Sequence, residues 1–289
     1  MASTPQERRD WTAAGSDVTA KNTYSSIKRA LAILESAYNV EIFLQGSYAN
    51  ATNIRADSDV DIVVMTKRTF QGSRSRLSSS QQARWDALPA ATFTESDLRA
   101  EVLSALSQYY GQSRVHSRNK CITVDAAPGY VDADVVPCLQ YRHYPGPNSD
   151  ISAGFVEGIA IHPLRGGQIV NFPKEHIKNG QAKNAECSKT YKATVRQVKR
   201  LRNRAVRNGM LRDGIAPGYL LECMVYNVPS SRFIADDSRR LLEVLSWLRV
   251  SSKASFKSCD GIHDLFATDP GGFSVSVAQE ILDALWEAY

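Results

Sequence analysis

The sequence has no long apolar run, no closely paired cysteines and no internal repeat, and each absence narrows what its 289 residues can form. The apolar stretches are interrupted early: Val60 to Met65 contains Asp61, and Tyr219 to Val228 contains Glu222 and Asn227. A membrane helix needs about 20 apolar residues, so no membrane is expected as a partner. From Met1 to Trp11 the chain is polar, without the apolar centre of a secretory signal. The expectation is a cytoplasmic protein. Cys121, Cys138, Cys187, Cys223 and Cys259 are too widely spaced for a C-x-x-C pair and odd in number. Reduced, mostly buried thiols are therefore expected in place of disulfides or a structural zinc site. Nothing repeats at solenoid periods.

What is present reads as a globular protein. A hydrophobic content of 43% with 22% charged residues excludes wholesale disorder. The length favours two packed units or one large α/β unit. The net charge of +5 is unevenly spread, because Lys183 to Arg212 holds ten Lys or Arg against one acid, Glu186. The rest of the chain is slightly acidic. A local cationic face on such a body suits a specific anionic ligand better than a coat of nucleic acid.

Periodicity places the elements. Ile27, Ala30, Leu31, Leu34 and Ala37 recur at helical spacing and predict an amphipathic helix from Thr23 to Tyr38. Val40 to Leu44 predicts a strand ending at Gly46-Ser47, and Val60 to Met65 a second, β-branched strand. Residues 71–93 are rich in Ser, Arg and Gln and read as a surface loop. Thr94 and Asp97 have capping-box spacing ahead of a helix through Tyr109. Two β-rich runs between Lys120 and Pro137 flank a turn at Ala127-Pro128-Gly129. A further pair, Gly154 to Ile161 and Gln168 to Phe172, flanks Arg165-Gly166-Gly167. Tyr191 to Val206, Tyr219 to Tyr226, Asp237 to Val250 and Val275 to Trp286 all predict helices. The fold class is α+β, with a mixed sheet in the first domain, residues 1–180, and a helical C-terminal domain, residues 181–289.

The chemistry sits in the acids. Side chains alternate along a strand, so Asp59 and Asp61 share one face and Val60, Ile62 and Val64 the other. An i, i+2 acid pair by itself arises by chance and usually marks a solvated strand end. Two carboxylates ahead of an apolar strand, however, are costly unless a cation compensates them. Asp132-Ala133-Asp134 opens another apolar strand, so a third carboxylate could reach the first pair. Three convergent carboxylates make a hard oxygen site suited to Mg²⁺ or Mn²⁺. Two such ions about 4 Å apart clamp the attacking and leaving oxygens of an in-line phosphoryl displacement. Spacing leaves Asp132 and Asp134 both open as the third acid; Asp57, ahead of the strand, reads as a turn residue. Upstream, Gln45-Gly46-Ser47 ends a strand, where glycine lets backbone N–H groups and the Ser hydroxyl approach a triphosphate. A plain strand-ending turn is the alternative for that motif alone.

In this order the motifs resemble a known family. "LQGSYANATNIRADSDVDIVV" (44–64) is similar to the signature of the polymerase-β-like nucleotidyltransferases, and "DADVVPC" (132–138) to the third-acid strand of their cyclic GMP–AMP synthase and oligoadenylate synthase branch. "NFPKEHIKNGQAKN", "KTYKATVRQVKRLRNR" and "IAPGYLLECMVYNVP" resemble the bacterial members, the CD-NTases of anti-phage signalling, and within them the uridine-using CdnE-like clade. The resemblance spans roughly residues 25–230. It implies a two-lobed, metal-dependent enzyme that joins NTPs without a template into a cyclic dinucleotide second messenger.

By that resemblance Asp59, Asp61 and Asp134 bind two divalent ions, and Asp134 also helps deprotonate the attacking ribose hydroxyl. Gln45, Gly46, Ser47 and Lys192 bind triphosphate. Lys192, Arg196, Lys199 and Arg200 lie on one helix face; the last three are expected to supply field from a solvated cationic surface, or to bind another partner. Tyr219 matches a nucleobase-stacking tyrosine or is a core aromatic of its helix. Asn171 matches an asparagine that could pair with a uracil edge, or it caps a turn before Pro173. His162 and His176 carry no expected chemistry. The implied substrates are UTP and, beside it, ATP; the implied partner is an effector reached through the product; nucleic acid is not required, and a monomer is expected. The alternatives are nucleotide transfer to an RNA end or a small-molecule acceptor, and an inactive NTP-binding module.

Overall fold

The computed structural model describes residues 3–14, 17–54, 59–267 and 272–289. In chain order it begins with α1 (Pro5–Asp10), α2 (Val18–Ala30), α3 (Ala32–Ala37), β1 (Val40–Leu44), α4 (Gly46–Ala49) and β2 (Val60–Ser73). There follow α5 (Ser79–Asp86), α6 (Glu95–Tyr110), β3 (Val115–Ser117), β4 (Ile122–Val124), β5 (Ala133–His143), β6 (Val156–Ile161) and β7 (Ile169–Asn171). The remaining helices are α7 (Pro173–Glu186), α8 (Tyr191–Arg207), α9 (Gly218–Tyr226), α10 (Asp237–Val250) and α11 (Val275–Ala288).

The chain forms two compact units. One comprises Ser16–Tyr48 and Asp57–Lys174; the other comprises Met1–Gly15, Ala49–Ala56 and Glu175–Tyr289. A single cut at residue 180 differs from this, because α1 and the 49–56 segment belong with the C-terminal helices. The reason for α1 is local: Ser3 N–H donates to Tyr289 O at 2.6 Å, Arg8 Nε to Ser238 O at 2.9 Å, and the Arg8 guanidinium lies 4.4 Å from the centre of the Tyr289 ring.

The first unit is built on a mixed sheet of order β1-β2-β5-β4-β3, with β6 added to β5 and β7 to β6. β2 and β5 run parallel at its centre; the other pairs are antiparallel. Alternation divides the strands between two apolar layers. Val60, Ile62, Val64, Ala133, Val135, Ile122 and Val124 pack with Ile27 of α2 and Leu98, Val102 and Leu106 of α6. Val63, Met65, Val136 and Cys138 pack on the other face with Ile159 and Ile161. Asp61 and Asp134 have the parity of this second set.

Several elements differ from expectation. The first predicted helix starts earlier and breaks at Leu31 into α2 and α3. β2 does not stop at Met65: after an irregularity between Thr66 and Phe70 it pairs with β5 as far as Ser73. The 71–93 stretch is not a loop throughout, since Ser78 caps α5 and Trp85 packs edge-on against Phe70 and Tyr144. Polar sequence hid this helix because Trp85 is its main apolar anchor. The expected hairpin across 127–129 is present as β4 and β5, and Thr94 and Asp97 form the predicted capping box. α7 begins at a proline, and α1 has Pro5 at its start with a Thr4–Glu7 capping box, both local marks of a helix N-terminus.

In the helical unit Tyr191, Val195, Val198, Leu201 and Ala205 form the buried stripe of α8 against α9, α10 and α11. At its centre is an ion network. Glu222, 3% exposed, accepts hydrogen bonds from Thr52 Oγ1 (2.8 Å) and Lys199 Nζ (3.2 Å) and lies 3.0 Å from His176 Nε2. Burial alone would raise its pKa, but the Lys199 charge, then His176 and Thr52, hold it at about 2. Its stabilising contribution is therefore complete above the ordinary pKa of 4.5 and is lost as pH falls towards 2. Glu222→Ala leaves the Lys199 ammonium buried without its partner and should cost about 3–5 kcal/mol. Urea denaturation at pH 7 measures this, and the Glu222→Leu/Lys199→Met double variant should recover most of the loss.

Candidate active site

Parallel pairing of β2 with β5 puts Asp61 directly opposite Asp134. Their side chains project to the same face of neighbouring strands. Thr123, opposite Asp134 on the other side in β4, donates its hydroxyl to Asp134 Oδ1 at 2.9 Å. Asp59 stands two residues before Asp61, and its charge acts on the Asp61 carboxyl. Burial first, then the charges of Asp134 and Asp59, push the Asp61 pKa up to about 6. The Cys121 thiol feels the same acid: burial and the Asp134 charge raise its pKa to about 11. Among the described residues no Lys or Arg forms an ion pair with Asp61 or Asp134. An acid pair kept close without a basic partner, offering only oxygen donors, fits a hard divalent cation.

Asp132 has a different surrounding. Its Oδ1 accepts the Ala126 N–H at 2.6 Å and its carbonyl accepts the Val60 N–H at 2.9 Å, so it ties the 125–131 turn to the start of β2. Asp57 lies outside the described residues.

The Gly-Ser turn meets the acids at close range. Gln45 N–H donates to Asp61 O at 2.9 Å, continuing the β1–β2 pairing by one residue. Gly46 then takes φ +68°, and a Cβ there would overlap the Asp61 carboxylate oxygen Oδ2. Only glycine satisfies both the left-handed conformation and the contact. Ser47 follows, half-buried in the single turn of α4. Asp61, Asp134, Gln45, Gly46 and Ser47 are thus gathered within one unit. Asn171, exposed at the end of β7, belongs to the same unit, whereas Lys192 and Tyr219 belong to the helical one.

The basic face of α8 is not the solvated field expected. Arg196 Nη1 donates to Ala51 O at 2.5 Å, Lys199 Nζ to Thr52 O at 3.3 Å and Arg200 Nη2 to Ile54 O at 3.4 Å. Arg196 and Arg200 also reach Thr12 O and Trp11 O at 2.7 and 2.5 Å. These cations clamp carbonyls that strands and helices leave unpaired. Lys192 differs. It is half-buried, burial lowers its pKa, and among the described residues its ammonium makes no hydrogen bond or ion pair. Tyr219 is 41% exposed and edge-on to His176 at 5.6 Å, so it is not a core aromatic. Its burial against the unit is nonetheless enough to raise the pKa of its hydroxyl.

His176, assigned no chemistry by its sequence context, proves to be a buried structural residue. With Glu222 and Cys259 it has ligand atoms within 4.8 Å of one another, the spacing of a metal site. The Lys199 ammonium already supplies the positive charge there, 3.2 Å from Glu222, which disfavours a second cation.

These features define a nucleotidyltransferase, and similarity to known proteins places it more closely. The nucleotidyltransferase domain profile matches residues 27–111, and the profile of the cGAS/DncV-like nucleotidyltransferase C-terminal helical domain matches residues 178–289. The chain is 37% identical over 284 residues to the cyclic UMP-AMP synthase of Rhodothermus marinus (strain SG0.5JP17-172), covering 96% of each chain. It is 35% identical over 243 residues to the cyclic dipyrimidine nucleotide synthase CdnE of Legionella pneumophila, covering 82% of this chain and 81% of that one. The solved structure of Rhodothermus marinus CdnE c-UMP-AMP synthase with Apcpp and Upnpp matches at TM-score 0.88 and 35% identity, over 99% of this chain and 96% of that one. The chain belongs to the cGAS/DncV-like nucleotidyltransferases, the CD-NTases, among their CdnE-like cyclic nucleotide synthases. Among the described residues no helix is long and apolar enough to cross a membrane.

The repulsion at Asp61 has a measurable cost. A carboxyl whose folded pKa is raised favours folding below its unfolded value of 3.8 and loses that advantage as pH rises through about 6. Metal-free Asp61→Asn protein should melt higher than the parent at pH 7.5, by roughly 2–4 °C. At pH 4 the difference should vanish. Differential scanning fluorimetry with a chelator present reads both.

Proposed function

We propose that the protein joins UTP and ATP, or UTP with itself, without a template into a cyclic dinucleotide containing at least one pyrimidine. The register pairing of Asp61 with Asp134, beside a glycine that can have no side chain, carries the reading. The similarity to a cyclic UMP-AMP synthase and to a dipyrimidine synthase supports the pyrimidine.

Asp59, Asp61 and Asp134 would hold two Mg²⁺ or Mn²⁺ ions, which neutralise triphosphate charge and make the attacking ribose hydroxyl more acidic. The Asp134 carboxylate takes that hydroxyl's proton, and the Thr123 hydrogen bond to its Oδ1 keeps the other oxygen turned to the task. The Gln45, Gly46 and Ser47 backbone and the Ser47 hydroxyl donate to phosphate oxygens as charge builds on the leaving pyrophosphate. Lys192, whose ammonium makes no hydrogen bond or ion pair among the described residues, pairs with the donor triphosphate. Tyr219 offers an exposed ring for a base to stack on, and the exposed Asn171 amide can donate to and accept from a uracil edge. A linear dinucleotide then rebinds reversed for ring closure.

In this reading the enzyme works as a monomer without nucleic acid, and its product is the second messenger that an effector reads in anti-phage defence. Transfer to an RNA end loses its main support, because Arg196, Lys199 and Arg200 are committed to carbonyls within the helical unit. An inactive binding module is disfavoured by the intact acids.

Incubation with labelled UTP and ATP and either metal should yield a phosphatase-resistant product with the mass of a cyclic dinucleotide. Asp61→Asn and Asp134→Asn should each lower the rate by at least about 10³-fold. Extended oligomers would point instead to an RNA-type transferase, and undiminished turnover in either variant would refute the site. Lys192→Met should raise KM for NTP more than it lowers kcat. Asn171→Ser should reduce the preference for UTP by about tenfold or more, read from competing NTPs by mass spectrometry.

A further inference from the structure

The face of the sheet opposite Asp61 and Asp134 carries a cavity of about 300 Å³, between α2, the end of α6 and the 125–131 turn. The two faces are separated at β4 by one residue: Val124 lines the cavity, while its neighbour Thr123 holds Asp134. Hydrogen bonds fix the walls. Asn22 Nδ2 donates to Gly129 O at 3.3 Å, and Thr23 Oγ1 accepts the Val131 N–H at 3.0 Å, which ties the turn to α2. Arg114 Nη2 donates to Asp125 O at 2.6 Å, and the Ser26 and Tyr110 hydroxyls are 2.6 Å apart. The space is therefore preformed.

Its chemistry is aromatic and cationic. Tyr109 and Tyr130 are 51% and 39% exposed, unusual for rings of their size, and both line it with Tyr110. Arg114 stands 5.6 Å from the centre of the Tyr110 ring. Arg29, exposed on α2, makes no ion pair among the described residues. Asp125, which also lines the cavity, lies 2.8 Å from His116 Nε2 and forms no ion pair with Arg29. Planar guanidinium forks bind acid groups, and tyrosine faces stack on flat rings. A concave site with a few fixed polar groups is the usual form of a small-molecule site.

We propose that this cavity binds an aromatic anion about the size of one nucleotide, its ring against Tyr109 and Tyr130 and its acid group at Arg29 and Arg114. The site is separate from the carboxylates and does not rest on the reaction assigned to them.

The test is a fluorescence titration of the full chain with 8-anilinonaphthalene-1-sulfonate, an aromatic sulfonate. Arg29→Glu and Tyr130→Ala, both at exposed positions, should each weaken binding at least about tenfold, a loss of about 1.4 kcal/mol. Arg165→Glu, on a different loop, and Asp61→Asn should leave it unchanged. Circular dichroism shows that each variant is folded. Equal affinity in the parent, Arg29→Glu and Tyr130→Ala, a loss in Asp61→Asn, or no saturable binding would overturn the proposal.

Discussion

Two carboxylates held side by side by a parallel strand pairing are the constraint on which the rest of the structure depends. Asp61 and Asp134 repel one another and lose hydration, as the raised Asp61 pKa records. Among the described residues no Lys or Arg forms an ion pair with either acid; the Thr123 hydroxyl donates to Asp134 Oδ1. The offset comes from the strands that carry them: Val60, Ile62, Val63, Val64 and Met65 on β2, with Ala133, Val135 and Cys138 on β5, are almost wholly buried across both faces of the sheet. A one-residue slip of either strand would turn its acid into the α2/α6 layer, so apolar packing on two sides fixes the register that sets the two acids side by side. Gly46 belongs to the same constraint, because the turn approaches the Asp61 carboxylate more closely than any side chain would allow.

A second ordering principle governs the helical unit, where charge serves structure more than ligand binding. Arg196, Lys199 and Arg200 occupy one face of α8 and close on the carbonyls of Ala51, Thr52 and Ile54, while Glu222 balances the buried Lys199. Irregular backbone has to find donors somewhere, and long cationic side chains reach it without demanding regular geometry. Among the described residues the contrast sets apart Lys192, one turn earlier, whose ammonium is not committed in this way. Basic residues that look equivalent on a helical projection thus divide into clamps and a candidate ligand.

The elements that were legible in advance are those whose signal is local. β1, the Gly-Ser turn, the start of β2, the capped α6, the β4–β5 hairpin and helices α8 to α11 follow from alternation, helical spacing and caps. The elements that were not legible depend on distant partners. β2 runs to Ser73 because β5 is there to pair with it, and α5 exists because Trp85 has Phe70 and Tyr144 to pack against. His176, three residues after Pro173, gave no hint of burial, since Glu222, its partner, is far along the chain. The placement of α1 with the last helix is of the same kind, as a short polar segment carries no mark of where it docks.

The residue order alone determined which carboxylates and which glycine stand at strand ends, because parity and turn chemistry are properties of a few consecutive residues. Through the family resemblance those motifs carry, it also implied the class of reaction. Only the tertiary structure decided that Asp134 faces Asp61 while Asp132 is tied into its own turn, that Arg196, Lys199 and Arg200 on one face of α8 are structural, and that a cavity lined by tyrosine and arginine lies behind the acids. Each of these depends on which strands and helices become neighbours, and that is decided by burial summed over the whole chain, which no short stretch of sequence contains.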